Sequence, residues 1–149
     1  MTKLKEGDKA PDFKIKNQKG EILTLEDFKG KKLILYFYPK DLTLGCTVES
    51  CNLRDNYSKL KKLGFEVVGV SLDDEKRHNK FINKFNLPFD LLADTEKEMV
   101  NAYDVWGPKK FMGRTFDGIH RITFIINETG IIEKVITKVT TLNHSNQIL

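Results

Sequence analysis

Leu33-Ile-Leu-Tyr-Phe-Tyr38, followed at once by Pro39-Lys-Asp-Leu-Thr43-Leu-Gly-Cys46-Thr-Val-Glu-Ser-Cys51, decides the fold. A run that is apolar and aromatic throughout reads as a central strand covered on both faces. Pro39 has no N–H to give a ladder and ends it. Downstream, Leu53, Tyr57 and Leu60 lie on one helical face and Gly64 is a plausible C-terminal cap, which predicts a helix from about Cys46 to Leu63. Counting back seven residues from Leu53 puts Cys46 on the inward face, at the junction of strand and helix.

Working outward, Phe13-Lys-Ile15 and Ile22-Leu-Thr24 flank Asn17-Gln-Lys-Gly20, a small hairpin. Beyond the first helix, Phe65 to Ser71 reads as a second buried strand, Asp74 to Phe85 as a helix, and Leu91 to Ala93 as a short third strand. That β-α-β-α-β order implies parallel pairing through right-handed crossovers. A short helix around Glu96 to Tyr103 follows, then Ile119 to Ile126 and Ile131 to Ile136 around Asn127-Glu-Thr-Gly130, an antiparallel hairpin. Phe111 to Phe116 reads as a loop near the face that carries Cys46. A C-terminal helix near Leu142 to Leu149 completes an α/β architecture of thioredoxin type, a central mixed sheet flanked by helices. The 149 residues, 40% apolar, fit one domain spanning 1–149, with no Pro/Gly/Ser-rich linker to divide them.

Charge and composition exclude some classes. Lys+Arg of 25 against Asp+Glu of 21 gives +4, but the basic residues are scattered, as in Lys29-Gly-Lys31-Lys32 and Lys59-Leu-Lys61-Lys62, and read as solvated faces rather than a nucleic-acid surface. Met1-Thr-Lys-Leu-Lys-Glu-Gly-Asp8 lacks the apolar core of a signal peptide, and no apolar run approaches a membrane span. A cytoplasmic protein is expected. In that reducing compartment, cysteines placed like Cys46 and Cys51 are catalytic, redox-sensing, metal-binding or simply buried.

The catalytic reading draws on the position of Cys46. Free N–H groups and the macrodipole at a helix N-terminus stabilise an anion, and a thiolate is the nucleophilic form of cysteine. Ionisation alone is worth about thirtyfold in a typical case, far short of the millionfold accelerations of enzymes, so fixed donors to the reacting atoms must exist elsewhere in the chain.

Pro39-x(3)-Thr43-x(2)-Cys46 matches the active-site pattern of the peroxiredoxins, and with Cys51 the chain resembles their bacterioferritin-comigratory, or peroxiredoxin Q, subfamily. The resemblance runs through Gly7 to Phe13, Tyr36 to Asp41, Glu49, Leu53-Arg-Asp55, Val105-Trp-Gly107, Gly118-Ile-His-Arg121 and Thr123-Phe124. It implies a thiol-dependent peroxidase for hydrogen peroxide and organic hydroperoxides, without a bound cofactor. Cys46 would be the peroxidatic nucleophile and Cys51 the resolving cysteine that closes an intramolecular disulfide, with thioredoxin or a related dithiol protein as reductant. Thr43 would bond the thiolate and the peroxide, Pro39 would shield the site, and Arg121 would supply fixed cationic donors. Glu49 lies one helical turn beyond Cys46, and since a carboxylate there by itself disfavours a thiolate, its role is to orient an arginine. The subfamily is often monomeric, which makes a monomer the expectation and a dimer the alternative. Many relatives carry proline where this chain has Leu44.

Other readings use the same residues differently. A dithiol oxidoreductase typically needs Cys-x-x-Cys at the strand-to-helix junction, which is absent; a redox-sensing module would bind a partner without turnover. Two cysteines and the isolated His78, His120 and His144 lack metal-ligand spacing, and each histidine reads as a surface or packing residue. Arg54 and Asp55 read either as a local ion pair or as a support of the site, and Trp106 and Tyr36 as core or pocket-wall aromatics.

Overall fold

The computed structural model describes residues 2–149. β1 (Lys14–Lys16) and β2 (Ile22–Thr24) form the small antiparallel hairpin. β3 (Lys32–Phe37) then enters the middle of the main sheet, and α1 (Leu44–Asp55) and α2 (Tyr57–Lys62) return the chain to β4 (Phe65–Ser71). α3 (Glu75–Phe85) leads to β5 (Asp90–Ala93), and α4 (Glu98–Ala102) to the ribbon of β6 (Trp106–Phe111) and β7 (Arg114–Ile119). β8 (Ile122–Ile126) and β9 (Ile132–Ile136) complete the sheet, and a 3₁₀ turn runs into α5 (His144–Ile148).

The five-stranded sheet has the order β5-β4-β3-β8-β9. β3, β4 and β5 are parallel, while β8 runs antiparallel to both β3 and β9. β3 divides the core by strand alternation. Leu33, Leu35 and Phe37 face one layer with Phe13, Ile15, Met99, Val100 and Tyr103; Ile34, Tyr36 and Tyr38 face the other with Cys46, Leu53, Leu60, Phe81 and Ile148. The mixed sheet flanked by helices is the thioredoxin-type arrangement expected from the order of elements.

Three boundaries differ from the sequence reading, each for a local reason. The helix expected from Cys46 to Leu63 is broken at Asn56, whose φ of −107° and ψ of 7° lie outside the helical region. There the Asn56 side chain donates to the Asn52 carbonyl at 2.9 Å, a local bond that competes with helix continuation. The expected loop from Phe111 to Phe116 is instead the tip of the β6–β7 ribbon, closed by Met112 and Gly113, both at positive φ as a type I′ turn requires. The strand expected from Ile119 to Ile126 is interrupted at His120 and Arg121, where the chain passes from the ribbon into the main sheet. This last break matters most, because it frees the Arg121 side chain from a sheet face.

Candidate active site

Cys46 is the third residue of α1 and only 1% exposed, while Cys51 lies five residues on in the same helix, half-buried; both are free thiols. The first-turn amides of Leu44, Gly45 and Cys46 have no acceptor within the helix and point their N–H groups toward its open end. α1 is anchored over the sheet by Leu53, fully buried, and by the hydrogen bond between the Ser50 and Tyr36 hydroxyls at 2.9 Å.

Arg121 arrives from the link between β7 and β8. Its Nη2 donates to Cys46 Sγ at 3.2 Å and its Nη1 to Glu49 Oε1 at 2.7 Å. Gly45 leaves room for that approach, since a Cβ there would stand a tight 3.3 Å from Nη2. Burial works against the guanidinium's charge, but Cys46 and Glu49 outweigh it and raise the arginine's pKa above its ordinary value. Arg121 is therefore a fixed cation with two of its donors committed.

Glu49 is fully buried on the next turn of α1. Burial pushes its carboxyl up to about 7, and the charge and hydrogen bond of Arg121 offset this only in part. Behind it sits His144, also fully buried, with Nε2 3.5 Å from Glu49 Oε2 and 2.8 Å from Thr123 Oγ1. Burial pushes this imidazole below its ordinary value, more than its bond to Gln147 raises it.

Thr43 is the N-cap residue of α1 and is exposed. Its position at the mouth of the site agrees with the sequence reading, but its bond does not: Oγ1 donates to the Lys40 carbonyl at 2.8 Å rather than to the sulfur. With its proton so engaged, the hydroxyl offers an incoming ligand a lone pair. Pro39 is half-buried where β3 ends, after the Tyr38 N–H has made its last bond, to Val70 at 3.1 Å.

The loop between Pro39 and Thr43 is held from below by a buried network that sequence reading missed. Asp41 is fully buried; Oδ1 accepts from the Tyr38 hydroxyl and Oδ2 lies 2.6 Å from His78 Nδ1. His78 Nε2 is 2.9 Å from the Leu92 carbonyl, and Arg77 donates to the Asp41 carbonyl at 2.9 Å. This clamp sets the strained Leu42, a non-glycine residue at φ 66°, just ahead of Thr43. His78 and His144, read from sequence only as surface or packing residues, are thus buried members of polar networks. His120 is half-buried and bonds the Pro108 carbonyl at 3.0 Å.

Cys51 stands apart from this cluster. Burial pushes its thiol up, with Arg54 offsetting and Asp55 reinforcing the shift. Arg54 and Asp55 form the expected ion pair at 2.9 Å, and Arg54 also donates to the Phe85 carbonyl at 2.7 Å. An open cleft of about 500 Å³, lined in part by Lys109, His120, Arg121, Ile122 and Lys138, reaches the site from the Arg121 side. Among the described residues no His, Cys, Asp or Glu group of three is gathered as a metal site, and no helix is long and apolar enough to cross a membrane.

A thiol at a helix start, gripped by a guanidinium on a thioredoxin-type sheet, is equipped for thiol chemistry with peroxides, and comparison with known proteins gives the same class. The chain belongs to the AhpC/TSA family, whose family model matches residues 6–135; it is a peroxiredoxin, an oxidoreductase of the peroxidase class. It is 46% identical over 149 residues to Peroxiredoxin Bcp of Escherichia coli (strain K12), covering 100% of this chain and 96% of that one. With Peroxiredoxin Bcp of Bacillus subtilis (strain 168) it shares 45% identity over 143 residues, 96% of this chain and 91% of the relative. Among solved structures, a cysteine-to-serine mutant of Xylella fastidiosa PrxQ matches with a TM-score of 0.93 at 28% identity, covering 99% of this chain and 94% of that one. Xanthomonas campestris Peroxiredoxin Q matches with a TM-score of 0.85 at 32% identity over 91% of this chain and 86% of that one.

Proposed function

We propose that the chain reduces hydrogen peroxide and organic hydroperoxides through Cys46 and is recycled through a Cys46–Cys51 disulfide by thioredoxin or a similar dithiol protein. The observation that carries the reading is the 3.2 Å contact of Arg121 Nη2 with Cys46 Sγ at the first turn of α1. The Cys46 thiolate attacks one peroxide oxygen; the S–O bond forms as the O–O bond breaks, the sulfur loses two electrons, and the alkoxide or hydroxide that leaves takes up a proton. Arg121 and the open first-turn amides supply donors where negative charge moves from sulfur to oxygen. The Thr43 hydroxyl accepts from the peroxide O–H, and Pro39 limits the entry of water.

The sulfenic acid then condenses with the Cys51 thiol, releasing water, and the disulfide is returned to two thiols by exchange with the reductant's dithiol. Glu49 serves to orient Arg121. The protein works in this reading as a single-domain monomer in the cytoplasm, without a bound cofactor. A coupled assay with thioredoxin, thioredoxin reductase and NADPH tests it. The parent should turn over, Cys46→Ser should not, and Cys51→Ser should consume about one equivalent of peroxide and stall. Sustained turnover by Cys46→Ser would overturn the assignment.

A further inference from the structure

One oxygen of Glu49 has no part in that chemistry. Oε1 accepts from Arg121, whereas Oε2 is buried with no hydrogen-bond partner among the described residues. A stranded carboxylate oxygen is unfavourable in a protein interior, and a stranded oxygen in a native site calls for an explanation. What it faces is Nε2 of His144.

The neighbours of His144 settle which of its nitrogens carries hydrogen. Thr140 N–H donates to Gln147 Oε1 at 2.8 Å and Gln147 Nε2 donates to the Lys138 carbonyl at 2.8 Å, so Oε1 is fixed as an acceptor. It lies 2.8 Å from His144 Nδ1, which must therefore be the N–H. A neutral ring then presents one lone pair at Nε2, to which the Thr123 hydroxyl at 2.8 Å donates and which a proton on Glu49 Oε2, 3.5 Å away, would share. Against a carboxylate oxygen that lone pair is repulsive; against a carboxylic O–H it is an acceptor.

The charged alternative, an imidazolium donating to a carboxylate, would place two more charges in a site that both side chains share at 0% exposure. Its surroundings also oppose it. Facing Glu49 are Arg121 from the β7–β8 link, Cys46 on α1 itself and the Tyr36 hydroxyl on β3, the last kept neutral by burial; Lys134 on β9 stands toward His144, and Lys109 on β6 toward Arg121. A second buried cation beside Arg121 is disfavoured, and so is an anion competing with the thiolate.

We propose that in the reduced protein Glu49 carries a proton on Oε2 and donates it to His144 Nε2, which makes His144 a positioning residue of the peroxidatic site. The neutral carboxyl still orients Arg121 through Oε1, but it leaves the guanidinium's charge undivided for the Cys46 sulfur. Closing the 3.5 Å gap to hydrogen-bond length needs a shift of under about 1 Å. The positioning role rests on the reading of Cys46 as nucleophile; the proton assignment does not.

Infrared spectroscopy of the reduced parent, with and without ¹³C-labelled glutamate, reads the proton directly. The label separates Glu49 from the buried Asp41 and Asp94. A glutamic-acid carbonyl band should persist at neutral pH, where exposed glutamates are ionised, and disappear as pH is raised. In His144→Leu, which removes the acceptor, its midpoint should fall by at least about one pH unit, a tenfold loss of proton affinity. The second-order rate of Cys46 oxidation by hydrogen peroxide should fall about tenfold at neutral pH in the same variant, and His144→Gln, which restores an acceptor oxygen, should recover part of both. Absence of the band from the folded parent overturns the assignment, as does an unchanged midpoint in folded His144→Leu. If the band and its shift appear but no peroxide is consumed, the proton assignment stands and the peroxidase reading fails.

Discussion

At the scale of the residue, the site is an arrangement of donors around one sulfur. Arg121 divides its fork between Cys46 and Glu49, a geometry that a flexible ammonium cannot copy. Arg121→Lys is expected to lower the second-order rate of peroxide reduction by about tenfold or more, on the scale of losing a fixed transition-state donor; kinetics equal to the parent would remove Arg121 from the mechanism. Glu49 gives a second test through stability. Its folded pKa of about 7 lies above the ordinary 4.5, so the folded state binds the proton more tightly than the unfolded chain does. Its contribution is fully present below the unfolded pKa and is lost as pH rises from there through about 7, by about 3 kcal/mol. Glu49→Gln should flatten that part of the stability curve, measured by urea unfolding at several pH values; an unchanged slope would mean that Glu49 is ionised when folded. Thr43 and Arg121 were drawn to Cys46 by the family resemblance, and Glu49 by standing one turn from Cys46; the structure gathers Arg121, Glu49 and Cys46 in one cluster. His144 was not legible in the sequence, because its partners Glu49 and Thr123 are distant in the chain and meet it only once α5 is packed.

At the scale of the element, the strongest signals were the ones carried by period. β3 reads as buried because it is buried on both faces, and the helix read over Asp74 to Phe85 is α3, at whose start the structure shows Asp74 accepting from the Arg77 N–H at 2.8 Å. The breaks at Asn56 and at His120–Arg121 were hidden, since apolar pattern continues across them and the deciding contacts are side chain to backbone or tertiary. That both cysteines lie within α1 has a mechanical consequence. Residues five apart in a helix have Cα atoms about 8.6 Å apart, beyond the roughly 4.4–6.8 Å of a disulfide. At least one turn of α1 must open for Cys46 and Cys51 to bond. The opening should spread to the C-terminus, because Asn52 Oδ1 accepts from the Ser145 N–H at 2.8 Å and Glu49 lies against His144. Hydrogen exchange is expected to rise on oxidation across roughly residues 43–54 and 140–149 and to return on reduction, with β3, β4 and β8 nearly unchanged. Unaltered protection of α1 in a verified disulfide form would refute the unwinding.

At the scale of the whole molecule, the parallel half of the sheet and the antiparallel half contribute different parts of the site. The β3–α1–β4 crossover supplies the thiol at a helix start, and the return of the chain along β8, beside β3, carries Arg121 to it. The parallel half could be anticipated from the order of elements, because parallel neighbours require crossovers; that the late hairpin adds beside β3 rather than beside β5, the other open edge, could not. What the order of elements could not show is how the loop between β3 and α1 keeps its strained path. The structure assigns that work to Asp41, held by Tyr38 just past the end of β3 and by Arg77 and His78 on α3. Every polar atom of the Asp41 side chain is engaged and buried, so removing one partner leaves charge without compensation. His78→Leu, close in volume but without donors, is expected to lower stability by about 3–5 kcal/mol, seen as a fall of roughly 10 °C in Tm. Arg77→Ala should cost less, since its side chain is 39% exposed and its ion pair with Asp73 is partly screened. Differential scanning calorimetry of the two variants under the same buffer separates the cases. A loss for His78→Leu no greater than for Arg77→Ala would show that the buried Asp41–His78 contact does not carry the loop, and that its path is fixed instead by the backbone bonds of Asp41 to Asp73 and Arg77.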